Sequence, residues 1–270
     1  MKFSILLSVY FKENAIFLND SLNRIINNSE KPTEVVIVKD GPLTDQLNLT
    51  IENWEKEYPN IIKTIDLPEN IGLGKALNEG IKHCSNEWIF RMDTDDICLP
   101  NRFKKQINYL QENPHISLLG GNIEEFNEDM TESNGQRNIA IEHNNILKLA
   151  KKRNPFNHVT VAFKKSAVLA VGGYQHHLYM EDYNLWIRMI SSDYKTHNLQ
   201  DVLVNVRAGT IMVSRRRGLK YIKSELQLAK LKIKLKIDTP LSATLIFAMR
   251  SIPRLLPTSI LNIIYKKLRK

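Results

Sequence analysis

Three carboxylates follow one another closely in the segment RMDTDD, Arg91 to Asp96. They come directly after the apolar run Trp88-Ile89-Phe90, which is typical of a buried strand. If the strand geometry continues, Asp93 and Asp95 point to one side and Thr94 points to the other. Carboxylates this close repel one another unless a cation lies among them. Mg²⁺ and Mn²⁺ use one or two protein carboxylates with substrate phosphates and water, so this Asp-x-Asp pair predicts a divalent metal site.

The same segment has simpler interpretations, which remain open at this point. An acidic turn exposed to solvent would have this composition. Asp96 could also act as the N-cap of a helix over LPNRFKKQINYL, because acids are favoured at a helix N-terminus. A lone Asp-x-Asp is common by chance, so the metal hypothesis needs support from other segments.

The elements around this segment alternate between strand and helix patterns. The periodicity predicts strands at 3–10, 34–40, 61–67 and 87–93, and helices at 15–28, 46–58 and 74–84. This rhythm predicts an α/β fold, with a mostly parallel sheet flanked by helices on both faces. Ligands bind beyond the carboxyl ends of the strands in such sheets, so Asp40 and the acidic segment are expected at one edge.

The glycine motifs of common nucleotide-binding folds are absent. No GxGxxG follows the first strand, and GxxxxGK[ST] occurs nowhere in the chain. The glycines Gly72 and Gly74 in NIGLGKALNEG have the wrong spacing for either motif. They are better explained by a turn and a closely packed helix start.

The composition places the chain among cytosolic globular proteins. It has 270 residues and 43% hydrophobic content, and the opening MKFSILLSVYF predicts a buried strand rather than a targeting signal. The cysteines Cys84 and Cys98 form no CxxC, and the histidines do not cluster, so neither a disulfide framework nor a thiolate zinc site is supported.

The net charge of +9 is concentrated toward the C-terminus, from Arg207 onward. The segment from Leu241 is interrupted by arginine and proline, so it is a poor membrane span. A basic amphipathic tail over 216–270 that docks on an anionic membrane surface is one interpretation. A helix that packs on its own domain or on a partner, including a second copy, is the other.

Six segments together resemble the nucleotide-sugar and acceptor halves of family 2 glycosyltransferases, which have the GT-A fold. Order and spacing agree through all six, over roughly residues 1 to 215, and the similarity is to the bacterial enzymes that build capsule, exopolysaccharide and O-antigen. The segments are SVYFKEN (8–14), VIVKDG (36–41), NIGLGKALNEGI (70–81), RMDTDDICLPNRFKKQ (91–106), NHVTVAFKKSAVLAVGGY (157–174) and YMEDYNLWIRM (179–189).

The resemblance implies a nucleotide-sugar half at 1–100 and assigns roles within it. Asp40 would accept a hydrogen bond from the uracil imide, Asp93 would contact the ribose or metal-bound water, and Asp95 would ligate Mn²⁺ or Mg²⁺ between the two phosphates. The other residues expected to bind the nucleotide sugar are Ser8, Val9, Tyr10, Glu13, Gly72, Lys75 and Thr94.

In the acceptor half, 101–215, the resemblance implies that Asp182 is the catalytic base, with Glu181 beside it. Both acids precede the helical pattern YNLWIRMI, so Glu181 is expected to cap the helix, and the pair is expected to share a raised apparent pKa. The resemblance also places Asn157 and His158 on the acceptor side. Trp186 is either a core residue, which is the preferred interpretation, or a sugar-stacking platform.

These roles predict an inverting glycosyltransferase that uses a nucleoside diphosphate sugar, expected to be a UDP-hexose, and a polyprenyl diphosphate-linked saccharide acceptor at the inner face of the cytoplasmic membrane. At least one arginine of Arg215, Arg216 and Arg217 is expected to close over the diphosphate, because guanidinium groups bind phosphate well. A metal-dependent phosphohydrolase is the alternative. Nucleic acid is not expected as a partner, since the basic tail lacks interleaved aromatic residues.

Overall fold

The computed structural model describes residues 1–208 and 218–255. The predicted diphosphate arginines Arg215 to Arg217, the predicted domain boundary after residue 215 and the last part of the tail lie outside these ranges.

One mixed sheet organises the described residues. Its strands are β1 (Ser4–Val9), β2 (Glu34–Lys39), β3 (Ile62–Asp66), β4 (Trp88–Arg91), β5 (Ile97–Cys98), β6 (Ile116–Phe126), β7 (Ser133–Arg137), β8 (Ala162–Lys164) and β9 (Lys195–Arg207). The helices are α1 (Ala15–Ile26), α2 (Asp45–Glu57), α3 (Leu73–His83), α4 (Arg102–Glu112), α5 (His143–Lys152), α6 (Lys165–Ala170), α7 (Glu181–Ser191), α8 (Leu219–Lys234) and α9 (Pro240–Ser251). Short 3₁₀ turns cover His158–Thr160 and Ile252–Leu255.

The strand order in the sheet is β3-β2-β1-β4-β8-β6-β9-β5, and β7 pairs with β6. The first four strands of this order are mutually parallel. The direction reverses at β8, which is antiparallel to both of its neighbours, β4 and β6. The sheet therefore has a parallel half joined to a mixed half, in agreement with the predicted α/β fold with a mostly parallel sheet.

Both faces of the sheet are covered because the central strands are apolar on both sides. In β1, alternate residues enter opposite cores, so Ile5 and Leu7 pack toward α1 and α2 while Leu6 packs toward α3. Strands buried on both faces read as continuous apolar runs, as SILLSV and EVVIVK do. The helices on each face follow from that pattern.

The predicted elements of the first hundred residues are all present, with ends displaced by up to a few residues. One displacement matters for the site. The fourth strand was predicted over 87–93 but ends at Arg91, and Asp93 to Asp96 form a bend that leads into the short β5.

The described part of the tail packs on the domain. In α8, Tyr221, Leu228 and Lys232 are buried, and the helix lies against α7. The hydroxyl of Ser224 donates to the carbonyl of Leu178 at 2.7 Å. The packing interpretation of the tail therefore holds for α8. Within the described residues, no helix combines the length and the apolar character needed to cross a membrane.

Candidate functional site

The candidate site lies at the carboxyl edge of β1, β2 and β4. These strands are parallel neighbours, so the segments that follow them, at 10–14, 40–42 and 92–96, emerge on the same side of the sheet. The predicted convergence of Asp40 and the acidic bend on one edge agrees with this topology.

Asp40 fixes the loop that precedes α3. Its carboxylate is buried and accepts two backbone hydrogen bonds, from the amide of Ile71 at 2.7 Å and from the amide of Gly72 at 3.1 Å. Gly72 has φ +87°, a conformation that favours glycine, and is the residue before the first turn of α3. The interpretation of this glycine as a turn before a helix is confirmed. A nucleobase would therefore meet a carboxylate that is already oriented.

The first segment carries the other predicted contacts with the nucleotide. The carbonyl of Val9 accepts the amide of Asp40 at 2.7 Å, and the carbonyl of Tyr10 accepts the amide of Glu13 at 3.0 Å. Ser8 and Tyr10 are partly exposed at this edge, whereas the Val9 side chain is fully buried. Contacts with a ligand can thus come from the backbone here but not from the Val9 side chain.

The acidic bend keeps the alternation expected of a strand. Asp93 and Asp95 are partly exposed, and Thr94 and Asp96 are buried. The pair therefore opens to one side although the segment is not a strand. Thr94, predicted to bind the nucleotide sugar, has almost no exposed surface.

Asp96 does not cap α4, so that interpretation was wrong. Its side chain accepts a hydrogen bond from the backbone amide of Arg207 at 3.0 Å, and β5 separates it from the helix. The residue before the first turn of α4 is Asn101.

Burial sets the electrostatics of the bend. It raises the pKa of Asp95 to about 6, with the charge of Asp93 adding to the effect. Burial also raises the pKa of Asp96 well above its usual range, helped by the charges of Asp95 and Asp93. A cation at Asp95 would stabilise the ionised form and reverse this shift.

A divalent cation can bind at Asp95 if the protein supplies only a few of its ligands. Among residues 1–208 and 218–255, no group of three or more histidine, cysteine or acidic side chains is arranged to hold a metal ion. An ion at Asp95 must therefore take most of its ligands from substrate phosphates and water. Mg²⁺ and Mn²⁺ commonly bind in that way.

Arg207, at the end of β9, bonds to the acidic bend although it is more than 100 residues away in the sequence. Its Nε donates to the carbonyl of Asp95 at 2.8 Å, its Nη1 donates to the carbonyl of Glu128 at 2.7 Å, and its guanidinium lies 3.9 Å from the centre of the Phe17 ring. The Nε and Nη1 of Arg207 are therefore engaged with backbone carbonyls rather than with an open site. Its role in this structure is to shape the bend.

Glu181 and Asp182 form the first turn of α7, as predicted. The Oδ2 of Asp182 accepts a hydrogen bond from Asn154 Nδ2 at 2.6 Å, and its Oδ1 accepts the amide of Tyr183 at 2.7 Å. Asp182 therefore bonds to a backbone amide of the first turn. Asn154 orients this carboxylate, and no feature of the sequence pointed to it.

The two carboxyl groups of this turn share raised pKa values. Burial, followed by the charge of Asp182, raises the pKa of Glu181 to about 7. Burial also raises the pKa of Asp182. Gly74 packs against this pair, since a Cβ there would lie 3.4 Å from the Cβ of Glu181. The start of α3 therefore adjoins the start of α7, in agreement with the closely packed helix start expected at Gly74.

Arg91 links the two acidic groups, and the sequence analysis did not assign it a role. It is buried at the end of β4 and forms a two-pronged ion pair with Asp93. Its charge also lowers the pKa values of Glu181 and Asp182, against the larger effect of burial. The only signal was its position in the sequence, as a charged residue at the end of a buried strand.

The side chains of the predicted acceptor residues, Asn157 and His158, bond to other groups of the protein. Asn157 is buried and its Nδ2 donates to the carbonyl of Gly121 at 2.9 Å, so it ties the chain to β6. His158 Nε2 lies 2.7 Å from the hydroxyl of Tyr174. Burial, with the nearby charge of Arg91, lowers the pKa of His158 well below its usual range.

Trp186 is a core residue in this structure. It has no exposed surface, and its ring makes edge contacts with Phe156, His158 and Tyr174. A sugar has no face of this ring to stack on, so the stacking role that was considered for Trp186 is corrected. Lys75, in contrast, is exposed in the first turn of α3, beside the candidate site.

The chain shares its sequence pattern with proteins of known class. The model of the family described as Glycosyl transferase family 2 matches residues 4–178. An uncharacterized glycosyltransferase of Haemophilus influenzae is 45% identical and covers 98% of each chain. The amylovoran biosynthesis glycosyltransferase AmsE of Erwinia amylovora is 44% identical and covers 99% of each chain. A UDP-Gal:alpha-D-GlcNAc-diphosphoundecaprenol beta-1,3-galactosyltransferase of Escherichia coli is 36% identical and covers 98% of this chain and 96% of the relative.

Solved structures share the fold at low sequence identity. S. aureus TarS 1-349 in complex with UDP-GlcNAc matches 94% of this chain and 72% of its own, with a TM-score of 0.66 and 19% identity. The mannosyltransferase PcManGT from Pyrobaculum calidifontis, in complex with GDP-Man and Mn²⁺, matches 99% and 80%, with a TM-score of 0.65 and 14% identity. The mixed sheet flanked by helices is the GT-A fold of these structures. The chain belongs to glycosyl transferase family 2, and it is a glycosyltransferase.

Proposed function

We propose that this glycosyltransferase moves a hexose from a UDP-hexose to a saccharide carried on a polyprenyl diphosphate, with inversion at the anomeric carbon, in the synthesis of a surface polysaccharide. The observation that carries the proposal is the pair of acidic groups at one edge of the sheet. Asp93 and Asp95 form one group and Glu181 and Asp182 form the other; Arg91 is paired with Asp93, and its charge also acts on Glu181 and Asp182. Transfer needs these two functions, one for the leaving diphosphate and one for the acceptor proton.

Asp95, with Asp93 beside it, would hold Mn²⁺ or Mg²⁺ at the donor diphosphate. When bound there, the ion would stabilise the charge that develops on the leaving group. The structure of PcManGT with Mn²⁺ supports a divalent metal in this fold. Uridine as the nucleoside is supported by the TarS complex and by the name of the Escherichia coli relative.

The nucleoside would lie along the ends of β1 and β2. Asp40 would accept the imide N–H of uracil, with the orientation set by its two backbone hydrogen bonds. Further contacts would come from Ser8, Tyr10 and Glu13, and from Gly72 and Lys75 at the start of α3. Arginines of the segment Arg215 to Arg217 would complete the diphosphate site.

Asp182 would take the proton of the acceptor hydroxyl as it attacks the sugar. The hydrogen bond from Asn154 fixes the orientation of the carboxylate. Its raised pKa makes it a stronger base than an exposed aspartate, while it remains ionised above that pKa. Attack from the face opposite the leaving diphosphate inverts the anomeric configuration, through a transition state with oxocarbenium character. Asn157 and His158 would help to position the acceptor.

The names of two relatives support the acceptor class. The Escherichia coli relative is named for an acceptor on diphosphoundecaprenol, and AmsE is named for the synthesis of amylovoran, so the proposal extends a lipid-linked acceptor to this chain. Such an acceptor places the reaction at the inner face of the cytoplasmic membrane, with an anionic lipid surface as a partner. A homo-oligomer remains a prediction from the sequence.

The experiment is a donor panel on the full chain. UDP-galactose, UDP-glucose and their N-acetyl forms are each mixed with Mn²⁺, Mg²⁺ or a chelator, and the melting temperature and the transfer to a polyprenyl diphosphate-linked acceptor are measured. One UDP-hexose should raise the melting temperature with metal only, because a ligand that binds the folded state stabilises it, and Asp95→Ala should lose the effect. Faster hydrolysis of the donor than transfer would favour the phosphohydrolase alternative. NMR of the product tests inversion.

A further inference from the structure

The outer face of α9, continued by Ile252 in the 3₁₀ turn that follows, carries an apolar stripe. Leu241, Leu245, Met249 and Ile252 are 73%, 57%, 73% and 63% exposed, respectively. At 3.6 residues per turn, these four positions fall within an arc of about 80°. Scattered exposed leucines are ordinary, but four large apolar side chains in one line form a patch.

The opposite face of the same helix is already packed. Ala243 is buried, and Phe247 lines a small cavity together with Leu228 of α8. Arg250, the one charged residue of α9, turns inward to an ion pair with Glu225 at 2.7 Å. The outer face of α9 therefore carries no charge, and nothing in the described part of the chain covers its stripe.

The exposed charges of the two C-terminal helices and of the turn between them are all positive. Between residues 218 and 255 every exposed charged residue is a lysine, and both acids of this range, Glu225 and Asp238, are buried. The exposed lysines are Lys220, Lys223, Lys230, Lys234 and Lys236. Lys234 is the last residue of α8, and Lys236 lies between α8 and α9.

We infer that the outer face of α9 is a membrane-docking surface, with its stripe inserted at the interface of an anionic bilayer and the lysines of the 218–236 region at the headgroups. An apolar helix face inserts among the acyl chains, and neighbouring lysines are attracted to the negative surface potential of anionic lipid. The choice of a bilayer over a protein partner rests on the proposed lipid-linked acceptor. The uniform positive charge of the exposed side chains supports the same choice.

The test is flotation of the full chain with vesicles, without any sugar present. The vesicles contain phosphatidylcholine alone or a mixture with phosphatidylglycerol. The wild type should bind the anionic vesicles, and high salt should weaken the binding because salt screens surface charge. The variant Leu245→Gln/Met249→Gln should partition about tenfold more weakly or worse, since it loses two inserted apolar side chains. Lys234→Gln/Lys236→Gln should lose part of the preference for anionic lipid.

A matched control uses exposed apolar residues on other faces. Leu49 and Leu169 are 58% and 48% exposed, so Leu49→Gln/Leu169→Gln makes the same chemical change elsewhere. This control should float as the wild type does. The melting temperatures of both double variants should match that of the wild type, because the changed side chains are exposed.

The outcomes separate this inference from the proposed function. Vesicle binding without transfer of any hexose would leave the docking surface standing and remove the proposed reaction. Transfer to a water-soluble acceptor, with no flotation of the wild type on anionic vesicles, would overturn the docking surface alone. It would also be overturned if Leu245→Gln/Met249→Gln converted a dimer to a monomer and left flotation unchanged, since the stripe would then be an interface between two copies of the chain.

Discussion

The acidic residues of this site have different hydrogen-bond and ion-pair partners, and these partners indicate different roles. Asp40 accepts hydrogen bonds from two backbone amides, Asp93 is paired with Arg91, and the pKa of Asp95 is raised by burial and by the charge of Asp93. Asp182 is held by an amide side chain. A carboxylate engaged with amides is a fixed acceptor, whereas one with a raised pKa gains most from a proton or a metal ion.

The role of Asp182 leads to the first prediction. The variant Asp182→Asn should lower kcat by about 10² to 10⁴-fold, the range typical of general-base catalysis, because the amide cannot take a proton. The thermal shift produced by UDP and Mn²⁺ should be unchanged, since donor contacts lie elsewhere. The comparison variant is Asn154→Ala, which removes only the hydrogen bond that orients the base and should cost less activity. Equal activity of Asp182→Asn and the wild type would exclude this base.

The second prediction concerns pH. A carboxyl group whose pKa is raised to about 7 is protonated below that pH and becomes charged above it. The charge of Asp182 is one cause of the raised pKa of Glu181, so Asp182 ionises first and Glu181 second. When Glu181 loses its charge below about pH 7, Asp182 becomes a weaker base, so the kcat/KM of the wild type should fall in that step. Glu181→Gln lacks this step and should keep only the acid limb of Asp182, at lower pH. A limb at the same pH in both proteins would show that the pair does not control the rate.

At the scale of elements, the local pattern of sequence was sufficient for the first half of the sheet. Continuous apolar runs such as EVVIVK predicted buried parallel strands, and their topology placed Asp40 and the acidic bend at one edge. The rest of the site depends on contacts between distant segments. Arg207 bonds to Asp96 across 111 residues, and Asn154 bonds to Asp182 across 28. Periodicity carries no information about such pairings, so these residues could not be predicted.

The third prediction tests how β9 shapes the acidic bend. Pairing of β9 with β5 and β6 brings Arg207 against the bend, where its planar guanidinium donates to two carbonyls and lies on Phe17. Lysine cannot reproduce both hydrogen bonds and the stacking, so Arg207→Lys should lower the free energy of unfolding by about 1–3 kcal/mol. The bend should also hold metal less well, so UDP with Mn²⁺ should give a smaller thermal shift.

The control for this prediction is the same exchange at an exposed arginine of α1, Arg24→Lys, which should change neither quantity. Urea unfolding measures the first effect, and a titration with UDP and Mn²⁺ measures the second. An Arg207→Lys protein with wild-type stability and wild-type donor binding would show that the bend does not depend on β9.

At the scale of the whole molecule, α8 is joined to α7 by a buried polar group. Lys232 of α8 is buried, and its Nζ donates to the hydroxyl of Tyr183 at 2.9 Å and to the carbonyl of Lys151 at 2.8 Å. Tyr183 follows Asp182 directly in α7. The composition of the tail predicted a basic surface, but it could not show that one of its lysines points inward. The described part of the tail, α8, therefore packs as one unit with the site.

Burial of Lys232 gives the last prediction, on stability against pH. Burial lowers its pKa to about 7, and the charge of Arg250 adds to this, while Glu225 and Asp238 act in the opposite direction. The unfolded chain holds that proton up to about pH 10.4, so between pH 7 and 10 it binds more protons at this site than the folded protein does. The contribution of Lys232 to the free energy of unfolding must therefore rise with pH over that window, by up to about 1.4 kcal/mol per pH unit.

Lys232→Met removes the titration and keeps the length of the side chain. Urea unfolding of the wild type and the variant at pH 7, 8.5 and 10 gives the difference in the free energy of unfolding, which should grow with pH in favour of the wild type. Lys230→Met, at an exposed position of the same helix, removes the same charge and should show no such trend. If the wild type and Lys232→Met change in parallel from pH 7 to 10, then Lys232 titrates as an exposed lysine does and α8 is not closed against α7 in solution.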